Sequence, residues 1–197
     1  LLERCVKMKN IAVYCGASSG NKAIYTEAAE KLGHWIVAHH YGLTYGGGKF
    51  GLMGTISDTV LNDHGYVHGV ITKDMVNREL THKKIDQVDI VDSIDQRKEL
   101  MLKNSIASIA LPGGPGTLEE MADAFSWTRI GKNPDPCIFY NVNHYYDPLK
   151  AMFNQMTNEG FLEEKSKNTL LFTDSLSVID KYINNYVTPK KRQYKNK

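Results

Sequence analysis

The segment Leu111-Pro112-Gly113-Gly114-Pro115-Gly116-Thr117-Leu118-Glu119-Glu120 has the residue types of a phosphate cradle with an acid beside it. The apolar run Ser105 to Leu111 leads into it, and a helical pattern with apolar Met121, Ala124, Phe125 and Ile130 follows. Glycines between a strand and a helix let a phosphate approach the backbone. The helix start then offers unpaired N–H groups and the positive end of a dipole. Glu119 and Glu120 lie one turn into that helix. Neighbouring positions on a helix are about 100° apart, so one carboxylate is expected to face the site and the other solvent. The plainer reading is capping: the dipole favours a carboxylate there, and Thr117 either caps the helix or touches phosphate.

Two further glycine loops follow apolar strands. Gly16-Ala17-Ser18-Ser19-Gly20 fits neither the dinucleotide GxGxxG nor the P-loop pattern. The hydroxyls of Ser18 and Ser19 suit phosphate bonding and helix capping equally well. Gly46-Gly47-Gly48-Lys49-Phe50-Gly51-Leu52-Met53-Gly54 opens a helix, and three successive glycines need a reason, either close approach to a ligand or a crowded turn. Arg97 and Lys98 place two charges on a helix just after a strand. Alone that is a solvated face; beside the third loop it becomes part of a site.

The elements that must position these loops alternate. Strands are expected at Asn10–Cys15, Leu43–Tyr45, Tyr66–Thr72, Gln87–Val91, Ile106–Leu111, Cys137–Tyr140 and, as a last edge strand, Thr169–Phe172. Helices are expected at Ala23–His40, Leu52–Asn62, Ile94–Asn104, Thr117–Ile130, Pro148–Asn158 and Leu176–Tyr186. The strands are continuous apolar runs, as required when both sheet faces are covered. The expected fold is α/β, Rossmann-like and doubly wound, a mostly parallel sheet with helices on both faces. Ligands bind such sheets beyond the carboxyl ends of the strands, where all three glycine loops would emerge.

At 197 residues the chain reads as a single domain over 1–187, followed by a basic tail, 188–197, expected to be disordered. The hydrophobic share is 42%, the charged share 23% and the net charge +2. That charge is too small to argue for a nucleic-acid partner, and the excess lies in Lys190, Lys191, Arg192, Lys195 and Lys197, read as a solvated terminus. No apolar run suits a membrane span. Three scattered cysteines, Cys5, Cys15 and Cys137, suit a reducing, cytoplasmic setting. The seven histidines show no metal-binding spacing.

Together these segments resemble the LOG family, the cytokinin riboside 5′-monophosphate phosphoribohydrolases formerly labelled lysine decarboxylases. The signature PGGxGTxxE is met by Pro112 to Glu120, and GGGxxGLMG by Gly46 to Gly54. The D-x-x-x-RK-x-x-M setting is met by Asp92, Arg97-Lys98 and Met101 with one spacing difference. VYCGASSG and Asn141 to Tyr146 also look familial, so the likeness runs from about Asn10 to Val187. It implies hydrolysis of the N-glycosidic bond of an adenosine 5′-monophosphate, prenylated at N6 or plain, by a homodimer that needs no metal or cofactor. It implies Arg97 and Glu120 as the catalytic pair, and substrate contacts at Glu79, Arg97, Lys98, Gly114, Pro115, Gly116, Thr117, Leu118, Glu119, Glu120 and Ser126. Gly16, Ser18, Ser19, Gly47, Gly48 and Met53 are further nucleotide contacts to expect from the other two loops. Two departures stand out: Pro115 removes an N–H from the phosphate loop, and Ser93-Ile94 replaces the Met-His that often precedes the Arg-Lys pair. The competing reading is a non-catalytic nucleotide or molybdenum-cofactor carrier, which would keep the loops but need not keep Arg97 and Glu120. A dinucleotide oxidoreductase is weakened by the missing GxGxxG.

Overall fold

The computed structural model describes residues 8–78 and 81–192. Its seven strands form one parallel sheet: β1 (Asn10–Tyr14), β2 (Gly42–Tyr45), β3 (Val67–Thr72), β4 (Gln87–Val91), β5 (Ala107–Ala110), β6 (Cys137–Tyr140) and β7 (Leu170–Thr173), in the order β4-β3-β2-β1-β5-β6-β7. The chain winds outward from β1 to β4, then crosses back to build β5 to β7 on the other side. β1 and β5 therefore flank the switch in winding direction, where the sheet opens a crevice at its carboxyl edge. Their register pairs Ile11 with Ala107 and Val13 with Ile109.

Among the described residues the helices are α1 (Ala23–Ala38), α2 (Gly51–Asn62), α3 (Lys73–Asn77), α4 (Ile94–Lys103), α5 (Pro115–Ile130), α6 (Asp147–Asn158), α7 (Glu164–Lys167) and α8 (Leu176–Asn184), with a 3-10 turn at Val142–His144. Alternate residues of each strand serve opposite layers. Ile11 and Val13 join Leu32, Ile36, Leu43, Ile56 and Ile179 in one core, under α1, α2 and α8. Ala12 and Tyr14 join Met101, Met121, Phe125, Phe139 and Phe153 in the other, under α4, α5 and α6. Both faces are covered, which is why the strands read as unbroken apolar runs.

The expected α/β architecture and its principal elements are present, and the sheet is parallel throughout the described strands. The differences are local. α3, α7 and the 3-10 turn were not expected; each is shorter than the two turns that make a helical period visible. α1 stops at Ala38, short of the expected His40, which adopts a left-handed φ of 58°. His39, just past the helix end, is exposed and turns its ring to the Trp35 carbonyl at 2.8 Å. α5 starts two residues before the expected Thr117, with Gly114 as its cap. At the far end, the Thr188 hydroxyl donates to the Pro134 carbonyl at 2.8 Å and the Arg192 amide to the Arg129 carbonyl at 2.9 Å, so residues 188–192 run along the α5–β6 connection. No helix of the described residues is long and apolar enough to cross a membrane.

Candidate active site at the switch in strand order

The end of β1 and the end of β5 are tied together: the Gly16 amide donates to the Pro112 carbonyl at 3.1 Å, and the Leu52 amide to the Gly16 carbonyl at 3.0 Å. These bonds bring the three glycine loops to one edge. Two clefts meet there and share Gly16, Ala17 and Gly114. One, of about 390 Å³, is walled by the Gly16–Gly20 loop, Tyr25, Leu52, Pro112 and Tyr145, and carries no charged side chain. The other, of about 260 Å³, has Cys15, Gly46, Met53, Met75, Gly116 and Thr117 around Arg97 and Glu120.

α5 points its N-terminus at the junction of the clefts. Pro115 occupies the first helical position, where the missing N–H costs no intrahelical bond and the fixed φ suits the helix. The amides of Gly116 and Thr117 remain among the first-turn donors without an intrahelical acceptor. Thr117 does not cap the helix, as the sequence reading allowed: it lies inside the first turn, buried, with its hydroxyl packed on Gly113. A Cβ added at Gly114 or Gly116 would meet nothing within 4 Å. Here the absence of side chains leaves room for a ligand rather than for a crowded turn. Gly116→Ala is therefore expected to keep the fold and raise its stability by up to about 1 kcal/mol, since Ala is the better helix former. The phosphate position that the family resemblance implies also predicts AMP binding weakened by about tenfold, which titration calorimetry reads against the melting temperature. Unchanged affinity would place the nucleotide away from this turn.

The second glycine run has a different reason. A Cβ on Gly46 would overlap the Arg97 guanidinium, one on Gly48 would press Met53, and Gly47 sits at φ 73° under Ile71. These glycines seat Arg97 and the turn itself. Arg97, on α4, is held by its Nε donating to the Val70 carbonyl of β3 at 2.9 Å and by Nη1 donating to Glu120 Oε1 at 2.5 Å. The two side chains are only 10% and 11% exposed. Desolvation pushes the Glu120 carboxyl above its ordinary value, against the pull of Arg97, which favours the charged form. Burial likewise pushes the Tyr14 hydroxyl and the Cys15 thiol up, so both stay protonated beside it.

Of the residues expected to bind or react, Gly16, Ser18, Ser19, Met53, Arg97, Gly114, Gly116, Thr117 and Glu120 line the two clefts. Gly47, Gly48, Pro115, Leu118 and Ser126 line neither; Ser126 is exposed on α5, nearly two turns beyond Glu120. Glu119 turns out of the cleft, 57% exposed, and pairs with Lys98 at 3.0 Å. The split of the two carboxylates between site and solvent follows the angle between adjacent helix positions. Glu79 lies outside the described residues.

Sequence reading missed Met75, Tyr25 and Tyr145 as cleft walls. Tyr145 donates its hydroxyl to the Gly113 carbonyl at 2.6 Å and stands edge-on to Tyr25, with ring centroids 5.9 Å apart. It is placed by the left-handed backbone of Asn143 and His144. The family likeness of Asn141 to Tyr146 is the signal in the sequence that points to it.

The family model described as "Possible lysine decarboxylase" matches residues 53–182. A cytokinin riboside 5′-monophosphate phosphoribohydrolase of Arabidopsis thaliana is 40% identical over 181 residues, covering 92% of this chain and 85% of its own. One of Oryza sativa subsp. japonica is 38% identical over 169 residues, covering 86% and 70%. Among solved structures, the molybdenum cofactor carrier protein of Chlamydomonas reinhardtii has a TM-score of 0.69 at 16% identity, over 91% of this chain and 99% of that one. The molybdenum cofactor binding protein of Rippkaea orientalis has a TM-score of 0.65 at 20% identity, over 89% and 96%. At those identities the structural likeness is one of fold, whereas the sequence likeness spans most of the chain: it belongs to the LOG family, the cytokinin riboside 5′-monophosphate phosphoribohydrolases whose family model carries the lysine decarboxylase description.

Proposed function

We propose that this chain hydrolyses the N-glycosidic bond of adenosine 5′-monophosphates, N6-prenylated or plain, to free base and ribose 5-phosphate. The observation that carries the reading is the buried Arg97–Glu120 pair one helical turn, about 5.4 Å, beyond the free amides that open α5. That separation is on the scale of the ribose between a 5′-phosphate and its anomeric carbon. The 5′-phosphate binds the Gly116 and Thr117 amides at the positive end of the helix. As the C1′–N9 bond breaks, its electron pair leaves with the base and positive charge builds on the ribose. The Glu120 carboxylate faces that charge and takes a proton from the water that attacks C1′. The departing base gains the proton. A guanidinium is a poor proton donor, so Arg97 fixes the carboxylate and the nucleotide and does not serve as the acid.

The decarboxylase description fits less well. A pyridoxal enzyme needs a Schiff-base lysine, and no lysine is among the described residues that line the two clefts. The homodimer implied by the family belongs to the same proposal; light scattering at micromolar concentration reads it as two chains, and a single chain removes it. Product identity tests the reaction. Phosphorus NMR of an AMP incubation should show ribose 5-phosphate and no inorganic phosphate. Inorganic phosphate with adenosine would instead make the protein a phosphatase.

A further inference from the structure

Lys98 carries the second charge of the Arg-Lys pair, and the family likeness implies that it touches substrate. Its surroundings argue for another task. An ammonium has three N–H donors and no acceptor. Here it meets three carboxylates: Asp123 Oδ2 at 2.6 Å, Glu119 Oε1 at 3.0 Å and Asp95 Oδ1 at 3.2 Å. The side chain is 7% exposed and lines neither cleft. The bond to Asp123 above all, with those to Glu119 and Asp95, outweighs burial and holds its charge on more firmly than usual. Asp95 belongs to α4, like Lys98, whereas Glu119 and Asp123 stand four apart on one face of α5. Two adjacent residues of α4, Arg97 and Lys98, thus grip two adjacent residues of α5, Glu120 and Glu119, the first pair inside the cleft and the second outside it.

We propose that Lys98 is a positioning residue and not a phosphate ligand: it clamps α5 to α4 through Glu119 and Asp123, so that Glu120 is held toward Arg97 and the reacting ribose. Only the kinetic readout rests on the proposed nucleotide cleavage; the binding readout does not. The charged and titratable groups around Glu120 are Arg97 and Lys98 from α4, Glu119 from its own helix, Tyr14 at the end of β1 and Cys15 just beyond it. Lys98 favours the ionised carboxylate, so its loss moves the acid limb of the rate profile to higher pH.

The test compares Lys98→Met, Asp123→Asn and the double variant, with Lys98→Arg as the conservative control. AMP affinity is measured by calorimetry, and kcat, KM and the pH profile are measured on the full chain. The clamp predicts AMP dissociation constants within about twofold of the parent and kcat lower by about tenfold or more in Lys98→Met, with partial rescue by Arg. It also predicts a milder kcat loss in Asp123→Asn and a double variant no slower than Lys98→Met. A phosphate ligand predicts the reverse: affinity weaker by about tenfold or more in Lys98→Met, from a lost charge-assisted bond, and unchanged or tighter binding in Asp123→Asn, where a donor is set free. That second pattern overturns the proposal. Asp123 is partly exposed, so its variant keeps the test decisive if Lys98→Met does not fold. If the parent binds AMP but releases no base, the proposed function fails while the affinities still decide the role of Lys98.

Discussion

Glu120→Ala is expected to lower kcat by about 10³-fold or more, while AMP binds at least as tightly as before. In the proposed reaction the carboxylate is the group that faces developing charge on the ribose, and no second acid lines the cleft to replace it among the described residues. Glu119, next in sequence, points away and is engaged by Lys98. Affinity is expected to hold because an anion is being removed from the neighbourhood of a bound phosphate, and Arg97 is left free to reach it. The pH profile of the parent should carry the same signature. Burial raises the Glu120 carboxyl above its ordinary value, so kcat/KM should fall with decreasing pH along a limb centred above the usual carboxylate range. Glu120→Gln should remove that limb along with the rate. Turnover unchanged in Glu120→Ala would end the catalytic assignment.

Arg97→Ala is expected to have the second large effect, on stability as well as rate. The guanidinium and the Glu120 carboxylate are both about nine-tenths buried. Removing one member of such a pair costs roughly 3 to 5 kcal/mol if the other stays charged, and less if it takes up a proton. Without Arg97 the Glu120 carboxyl rises further. Its folded value then lies well above its unfolded one, so the native state holds the proton more tightly. The stability deficit against the parent should therefore be small near pH 5 and grow as pH rises through the raised value, a trend that melting temperatures from pH 5 to pH 9 would trace. A deficit flat across that range would mean the pair is not coupled as the geometry indicates. Arg97→Lys should rescue little, because an ammonium cannot serve both the Val70 carbonyl and Glu120 with the fixed fork of a guanidinium.

The parts of this site that were legible in the sequence are those set by local rules. An apolar strand, a glycine turn and a helix start define the α5 cradle, and the angle between adjacent helix positions separates Glu119 from Glu120. Alternation of strands and helices defines the doubly wound sheet, which in turn brings the three loops to one edge. The rest depends on contacts between elements far apart in the chain. Gly46 needs to be glycine because Arg97 crosses it from another layer, and spacing alone does not tell that reason from ligand contact. Met75 enters the cleft from a five-residue helix too short to show a period. Asp95 and Asp123 carry no sequence signal that sets them around Lys98; only the packing of α4 beside α5 does. Pro115, read as a defect in the phosphate loop, becomes a favourable first residue once α5 is seen to start there.

The central claim is that this cleft breaks the bond between base and ribose rather than merely holding a nucleotide. Incubation with AMP and, separately, with isopentenyladenosine 5′-monophosphate, with free base followed by chromatography, tests it most directly. Release of adenine or isopentenyladenine in equal amount with ribose 5-phosphate is the predicted result, and the ratio of the two rates gives the preference for the prenyl group. Both nucleotides recovered intact, with AMP bound, would contradict the claim and leave a nucleotide carrier built on the same three loops.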